Sequence, residues 1–210
     1  TYYYTGKPNN WVQFGGFWWR IIRINGDGSI RMIYQGTSAN ETGTGTQIQT
    51  SDFNSSNNDN MYVGYMYQSG QLHGLQRSST IKGVLDTWYS RNLATNYGQY
   101  IDGNAGFCGD RRVTRGSGTG TNETYYQSYS RINNSSPSLS CEKADIYTID
   151  EFEYGNGALT RSIGLISADE AMLAGMPKWY SSVNTNNYLY TDQTYWTMSP
   201  CSFEYYDVVV

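Results

Sequence analysis

The pattern of hydrophobic and polar positions is clearest between residues 11 and 34. An aromatic and β-branched run extends over residues 12–24, an Asn-Gly-Asp-Gly segment at 25–28 interrupts it, and strict alternation then resumes up to Tyr34. Alternation predicts half-buried strands, and Asn-Gly between two such runs indicates a hairpin turn with positive φ. Gly15-Gly16 predicts another tight turn, so we expect a β-meander here.

Two helices are predicted farther along the chain. Over residues 79–93, apolar side chains recur with the i, i+3, i+4, i+7 spacing of one helical face, and Ser78 or Ser79 can cap the start. The second helix follows Ser167 and Glu170, which have the spacing of a capping box, and Gly175 with Pro177 ends it. Because capping explains Glu170, we do not assign it a catalytic role.

The remaining sequence predicts short strands and long loops. Residues 36–60 and 103–140 are polar and rich in Gly and Ser, which favours surface loops. We expect strands at 163–166, at 188–198 up to Ser199-Pro200, and at 205–210. The last apolar run would leave an open sheet edge, so we expect downstream sequence or another chain to cover it. We also expect the chain to be trimmed at both ends relative to the gene product.

Composition favours one folded domain over residues 1–210. Charged residues make up 15% of the sequence and aromatic residues 16%, with 21 tyrosines. A disordered chain would have high charge and few aromatics, so disorder is not expected. The tyrosine excess has two explanations that both stay open: a recognition surface rich in Tyr and Asn, or a β-rich fold that covers its sheets with rings.

Charge and hydropathy exclude two classes of partner. The net charge of -4 lacks the basic footprint that nucleic acid requires. The basic run Arg111-Arg112-Val113-Thr114-Arg115 is flanked by glycine and is interpreted as a solvated loop. No apolar stretch approaches the ~20 residues that span a bilayer, so direct membrane insertion of this fragment is not expected.

The three cysteines bear on cellular compartment. Cys108 and Cys141 lie in loop-like sequence, where a disulfide would hold a long excursion, while Cys201 has no evident partner. The alternative is three free thiols in a cytosolic protein; the low Lys and Glu content favours the exported, extracellular interpretation. Without a Cys-x-x-Cys pair and with His73 as the single histidine, a metal site of Cys and His is not expected, nor is a cofactor.

Five blocks of the sequence resemble a poorly characterised family of surface proteins of Gram-positive gut bacteria, whose domains often follow a pilin-like segment. The blocks occur in the family's order, at residues 10–31, 79–89, 106–108, 164–170 and 195–200. The Trp-x-x-Ser-Pro motif at 196–200 is similar to one in domains with the C-type-lectin-like fold, which formylglycine-generating enzymes share. Family members continue into a Val-Arg-Pro strand, so we expect a further strand to complete the fold.

The resemblance implies an α+β, C-type-lectin-like fold: two short helices around twisted antiparallel sheets, with long irregular loops and a ligand face near the C-terminal third. The cysteine pair of the formylglycine-generating enzymes and the Glu-Pro-Asn calcium motif of lectins have no counterpart, so neither activity carries over. By strand alternation, roughly half of the candidate side chains should point inward. The predicted ligand-binding residues are Tyr180, Asn186, Asn187, Tyr188, Tyr190, Phe203, Glu204, Tyr205 and Tyr206.

Three functions follow as hypotheses, and none assigns catalytic residues. The first is an extracellular adhesin-like or receptor-type domain at the cell surface, which binds a host or bacterial surface protein or glycan without a metal. The second is a structural subunit of a pilus or surface assembly, which self-assembles through its C-terminal edge strand. The third is a glycoside hydrolase, but no two carboxylates stand out as a pair among Asp145, Asp150, Glu151 and Glu153.

Overall fold

The computed structural model describes residues 1–177, 183–204 and 207–209 of the 210-residue chain. The chain divides into two compact units. The first comprises Thr1–Thr50 and Glu170–Tyr195, and the second comprises Ser51–Asp169 and Trp196–Val210. Each unit is described by itself below, and the single domain expected over residues 1–210 stays a prediction.

Within the described residues the chain combines α-helices with short strands, and every strand pair there is antiparallel. This agrees with the predicted α+β class. Four α-helices occur in the described part, not two. They are α1 (Thr80–Asn92), α2 (Ala94–Tyr97), α3 (Gln127–Asn134) and α4 (Ala168–Leu173). None of the described helices is long and apolar enough to cross a bilayer.

Fourteen strands of two to eight residues lie in the described residues. They are β1 (Tyr2–Tyr3), β2 (Trp11–Phe14), β3 (Phe17–Ile24), β4 (Ile30–Gly36), β5 (Met66–Tyr67), β6 (Arg77–Ser78), β7 (Phe107–Cys108), β8 (Val113–Arg115), β9 (Thr124–Tyr126), β10 (Ile146–Tyr147), β11 (Glu151–Phe152), β12 (Gly155–Asn156), β13 (Ser202–Glu204) and β14 (Asp207–Val209). Four 3₁₀ turns accompany them, at Thr44–Thr46, Asn60–Val63, Gly98–Tyr100 and Lys143–Asp145.

The first unit contains the predicted β-meander. Strand β3 lies at its centre and pairs with β1, β2 and β4. Gly15 and Gly16 turn β2 into β3 with φ of 63° and 83°, as expected. In the next turn the positive φ falls at Gly28 and not at the Asn-Gly dipeptide, because Asn25 N bonds to Ser29 O and closes a longer loop. A glycine in the left-handed region is what a loop of this length requires.

Aromatic rings fill both faces of this sheet. Trp19 meets Tyr34 edge to face, with centroids 5.6 Å apart, and Trp11 meets Trp18 in the same way at 6.0 Å. Ile22 is almost fully buried. Much of the tryptophan and tyrosine between residues 11 and 34 is therefore used for sheet and core.

The second unit is built around a four-stranded sheet in the order β14-β13-β9-β8. Phe203 of β13 packs with Val63 and Tyr126 in a buried cluster, against which Leu72 and Val113 also lie. Strand β14 corresponds to the middle of the final strand predicted at 205–210. It occupies one edge of the sheet as far as the chain is described.

Helix α1 forms where the spacing predicts it. Ser79 caps its start by accepting a hydrogen bond from Lys82 N at 3.2 Å, and Ile81, Leu85 and Tyr89 form the buried face. A cap that satisfies a free N–H and an apolar stripe that packs are the two features a helix of this length needs. Both were visible in the sequence.

Other segments differ from the prediction. Residues 163–166 and 188–198 are not strands: Ile166 O accepts from Met198 N at 2.8 Å, but neither segment continues into a ladder. Residues 103–140, predicted as a loop, include β7, β8, β9 and α3. Helix α3 buries Ser128 and Arg131, so its inward face is polar and gives no hydrophobic stripe.

Candidate functional site

The predicted ligand residues are spread over both units. Asn186, Asn187, Tyr188 and Tyr190 belong to the first unit, and Phe203 and Glu204 belong to the second. Tyr180, Tyr205 and Tyr206 lie outside the described residues.

In the first unit, two of the predicted residues are buried. Asn187 and Tyr188 each expose only 3% of their surface. Asn187 Nδ2 donates to Ala174 O at 2.6 Å, while its Oδ1 accepts from Leu189 N at 2.9 Å. The Asn187 side chain therefore holds the turn together. The accessible members of the predicted set are Asn186, which is exposed, and Tyr190, which is half-buried.

In the second unit, Phe203 is a core residue. Its side chain is fully buried between Val63 and Tyr126, so it offers no surface to a ligand, and its assignment as a ligand-binding residue is corrected. Glu204 follows it on the opposite face of β13 and is half-buried. The bond from Tyr125 to the Glu204 carboxylate raises the pKa of Tyr125 to about 12. As the alternation along this strand predicts, Phe203 points inward and Glu204 points outward.

The second unit also has an open depression of about 330 Å³ that the sequence did not indicate. Its lining combines apolar side chains with side chains that carry hydroxyl groups and one guanidinium. The lining residues are Tyr89, Ala94, Gly98, Ile101, Gly103, Ile149, Thr160, Arg161 and Ser162.

Three separate segments are tied together to form this depression. Ser162 Oγ donates to Asp102 O at 2.7 Å, and Ile149 N donates to Gly103 O at 2.9 Å. A Cβ added at Gly103 would lie 2.8 Å from Ile149 Cγ1, which is closer than side-chain atoms approach. The depression therefore depends on a glycine at this point.

The polar groups of the depression are held in place. Arg161 is exposed, and its Nε donates to Ser90 Oγ and its Nη1 to Thr160 O, both at 2.8 Å. Burial raises the pKa of Tyr89, although the positive charge of Arg161 opposes this, so Tyr89 remains a hydroxyl donor at neutral pH. A fixed cation and hydroxyl groups beside apolar side chains suit a small polar ligand with an apolar face.

Exposed tyrosines lie close in sequence to the lining. Tyr100 directly precedes Ile101 and is 72% exposed, and Tyr154 is 64% exposed in the β11–β12 hairpin that follows Ile149. Large exposed aromatic rings are typical of recognition surfaces. The overall tyrosine content signalled such a surface, but neither ring lies in a sequence pattern that would locate it.

The basic run at 111–115 is not a solvated loop. Arg111 is 2% exposed and Asp145 is fully buried. Arg111 Nε donates to Asp145 Oδ1 at 2.8 Å, and Arg111 N donates to Oδ2 at 2.5 Å. His73 Nδ1 lies 3.1 Å from the same Oδ2, close enough for an ion pair although poorly aligned for a hydrogen bond. This contact raises the pKa of His73. The three side chains form the Arg111 network.

A second buried network begins at the preceding residue. Asp110 accepts from Arg112 Nε at 2.6 Å and pairs with Arg131 Nη1 at the same distance. Arg131 in turn makes a two-point contact with Asp169, at 2.7 and 2.8 Å. Asp110 has φ of 25°, a left-handed conformation that aspartate tolerates better than most residues. These four side chains form the Asp110 network.

Three of the four acidic residues considered for glycoside hydrolysis, Asp145, Asp150 and Glu151, have other partners. Burial alone would raise the pKa of Asp145, but its contacts with His73 and Arg111 outweigh burial and lower it. Asp150 accepts from Asn104 Nδ2 at 3.0 Å, and the exposed Glu151 pairs with Lys143. Nowhere in the described part of the chain do three or more His, Cys, Asp or Glu side chains gather as metal ligands.

The predicted disulfide between Cys108 and Cys141 is present and closes a separation of 33 residues. The segment that it closes contains helix α3 and the arginines of both charge networks, Arg111, Arg112 and Arg131. Cys201 is buried and free, and burial raises the pKa of its thiol to about 12. At neutral pH this thiol is therefore protonated and unreactive.

The chain matches no family model, no curated protein and no solved structure. The resemblance to surface proteins of Gram-positive bacteria therefore stays a prediction, as does the C-type-lectin-like fold. The structure of the described residues shows the α+β class and the disulfide.

Proposed function

We propose that the chain is an extracellular, cell-surface binding domain of the adhesin or receptor type, which recognises a protein or glycan ligand. One observation carries the proposal: the lining of the open depression in the second unit combines Arg161 and Tyr89 with apolar side chains. The exposed rings of Tyr100 and Tyr154 lie close in sequence to its lining. This is the side-chain chemistry with which binding proteins hold polar ligands.

Size and shape favour a compact ligand group. A depression of about 330 Å³ is near the lower limit for small-molecule sites and is open to solvent. A single sugar unit of a glycan fits this description, with one face on Ile101 and Ile149 and its hydroxyls toward Arg161. Tyr100 provides a further ring for stacking.

Two features support the location and the fold in this proposal. A disulfide persists in oxidising compartments, which supports an extracellular domain. Small antiparallel sheets, short helices and long irregular segments held by polar contacts support a C-type-lectin-like fold. The four α-helices among the described residues are more than the two expected for it.

The experiment is a glycan-array and cell-binding comparison of the purified chain with the variants Tyr100→Ala and Arg161→Gln. We expect each to weaken binding about tenfold, equivalent to ~1.4 kcal/mol, with an unchanged melting temperature. Tyr2→Ala is the matched control, because Tyr2 is a 77% exposed ring in the first unit. Unchanged binding by a folded Arg161→Gln variant would contradict the proposal that the depression binds the ligand.

A second function, a structural subunit that self-assembles, is favoured by one observation. Strand β14 pairs with β13 and forms an edge of its sheet in the described residues. An open strand edge is a surface to which another chain can add a strand. Light scattering across a concentration series tests this, and a strict monomer at the highest concentration argues against assembly.

A further inference from the structure

Arg20 occupies an unusual position at the centre of the first unit. It lies opposite Trp11 in the β2–β3 pairing and is only 2% exposed. Its Cζ lies 4.0 Å from the centroid of the Trp11 ring and 5.7 Å from the centroid of the Tyr188 ring. The guanidinium is therefore held by aromatic faces.

The Nε of this guanidinium is buried and has no hydrogen-bond partner among the described residues. A buried charged donor without an acceptor loses its hydration and receives no replacement for it, which proteins rarely tolerate. Burial accordingly lowers the pKa of Arg20, although the charge of Glu41 opposes this. The two rings contact the guanidinium of Arg20, but the described residues provide no acceptor for its Nε.

A second unsatisfied donor lies in the same contact. The Tyr188 hydroxyl is buried and has no partner in the described part of the chain, and burial raises its pKa, so it keeps its proton. The neighbouring carboxylate of Glu41 pairs with Lys7 at 3.1 Å, and no ion pair joins it to Arg20 among the described contacts. The described residues thus leave these two buried donors without an acceptor.

We infer that Arg20 and Tyr188 form a binding site for a carboxylate group, carried by an acidic sugar or by an acidic amino acid. The rings that contact Cζ provide no hydrogen-bond acceptor, so the Nε–H of Arg20 is left for another partner. A carboxylate is the planar acceptor that matches such an edge with two parallel hydrogen bonds. The small exposed area of Arg20 favours a single carboxylate over a bulkier anion.

This site goes beyond the proposed function, because it lies in the first unit and uses none of the residues of the depression. The competing explanation is that ordered water satisfies Arg20 and Tyr188. In that case no carboxylate binds, so a titration separates the two explanations.

The test is calorimetric titration of the full chain with two matched pairs of probes. Glucuronic acid and glucose form the sugar pair, and N-acetylglutamate and N-acetylglutamine form the amino-acid pair. We expect the acid of at least one pair to bind at least tenfold more tightly than its neutral counterpart, and the pair that does so identifies the source of the carboxylate. Equal binding within both pairs, or no binding of either acid, overturns the site and supports water.

Variants assign the binding to these side chains. Arg20→Gln should abolish acid binding, and Tyr188→Phe, which keeps the ring, should weaken it severalfold. Glu41→Gln should strengthen it, because a negative charge near Arg20 is removed. Arg91→Gln is the matched control, since Arg91 is an exposed arginine of α1 in the second unit. If Arg20→Gln does not fold, Tyr188→Phe and Glu41→Gln decide: unchanged acid affinity in both overturns the assignment.

Discussion

Two arginines with the same burial, Arg20 in the first unit and Arg111 in the second, have opposite surroundings. Each is 2% exposed. Arg20 lies between the rings of Trp11 and Tyr188, whereas Arg111 donates to the Asp145 carboxylate and to two backbone carbonyls, with only Nη2 unpaired among the described residues. Burial alone therefore does not reveal the role of a charged side chain. The hydrogen-bond acceptors around the side chain distinguish Arg111, which is paired, from Arg20.

The difference extends to how each unit is held together. The first unit relies on a strand ladder with aromatic packing and on the buried pairing of Glu170 with Arg23 and Arg31, to which Arg20 adds a further buried charge. The second unit has short strands and long irregular segments, which the Arg111 network, the Asp110 network and the disulfide connect. Removing Arg20 should therefore cost far less than removing the counter-ion of Arg111.

The largest effect is expected for Asp145→Asn. This change leaves Arg111 buried without its counter-ion and removes the partner of His73, so we expect a loss of about 3 to 5 kcal/mol in the free energy of unfolding. Denaturant titration followed by circular dichroism measures it. Glu151→Gln is the control, because the exposed Lys143–Glu151 pair should contribute no more than about 1 kcal/mol. Equal costs for the two variants would contradict the comparison.

A smaller effect is expected for Arg20→Met. The variant loses a cation–π contact of roughly 1 to 2 kcal/mol but also removes an unpaired buried charge, which costs about 1 to 3 kcal/mol. The two contributions oppose each other, so the free energy of unfolding without ligand should change by no more than about 1 kcal/mol. The same denaturant titration applies. A loss as large as that of Asp145→Asn would mean that Arg20 is already fully paired in the free protein.

The smallest effect is the pH dependence due to His73. Its pKa is raised from 6.5 by Asp145, so the protonated form is favoured in the folded state. The stabilisation is complete below 6.5 and is lost as the pH rises through the raised pKa. Because the side chain is partly exposed, we expect a fall of no more than about 1 kcal/mol. His73→Gln should flatten this part of the curve, and an unchanged slope would contradict the prediction.

Regular elements that depend on neighbouring residues were predictable from the sequence. The meander around β3 follows from alternation and from the Gly15-Gly16 turn, and α1 follows from its apolar stripe and the Ser79 cap. The Cys108–Cys141 disulfide was also anticipated, because both cysteines lie in loop-like sequence. The sheet alternation at β13 correctly implied that some predicted ligand residues would point inward, as Phe203 does.

Features that depend on distant partners were not predictable. Arg111 and Asp145 are 34 residues apart, and Arg131 and Asp169 are 38 apart, so local composition made the basic run resemble solvated sequence. Helix α3 was missed for the same reason, since its buried face is stabilised by ion pairs instead of apolar contacts. The depression combines segments from α1 to Ser162, and no single stretch of sequence contains its pattern.

The consecutive residues Asp110, Arg111 and Arg112 restrict how this protein can evolve. Long polar loops ordinarily accept insertions and deletions, because nothing fixes their length. Here Arg111 is paired with Asp145, while the residues on either side of it belong to the other network. Adding or removing one residue next to them would exchange an acid for a base at a buried position. Homologues should therefore keep the length from Cys108 to Arg112 and the order of the acid and the two bases within it.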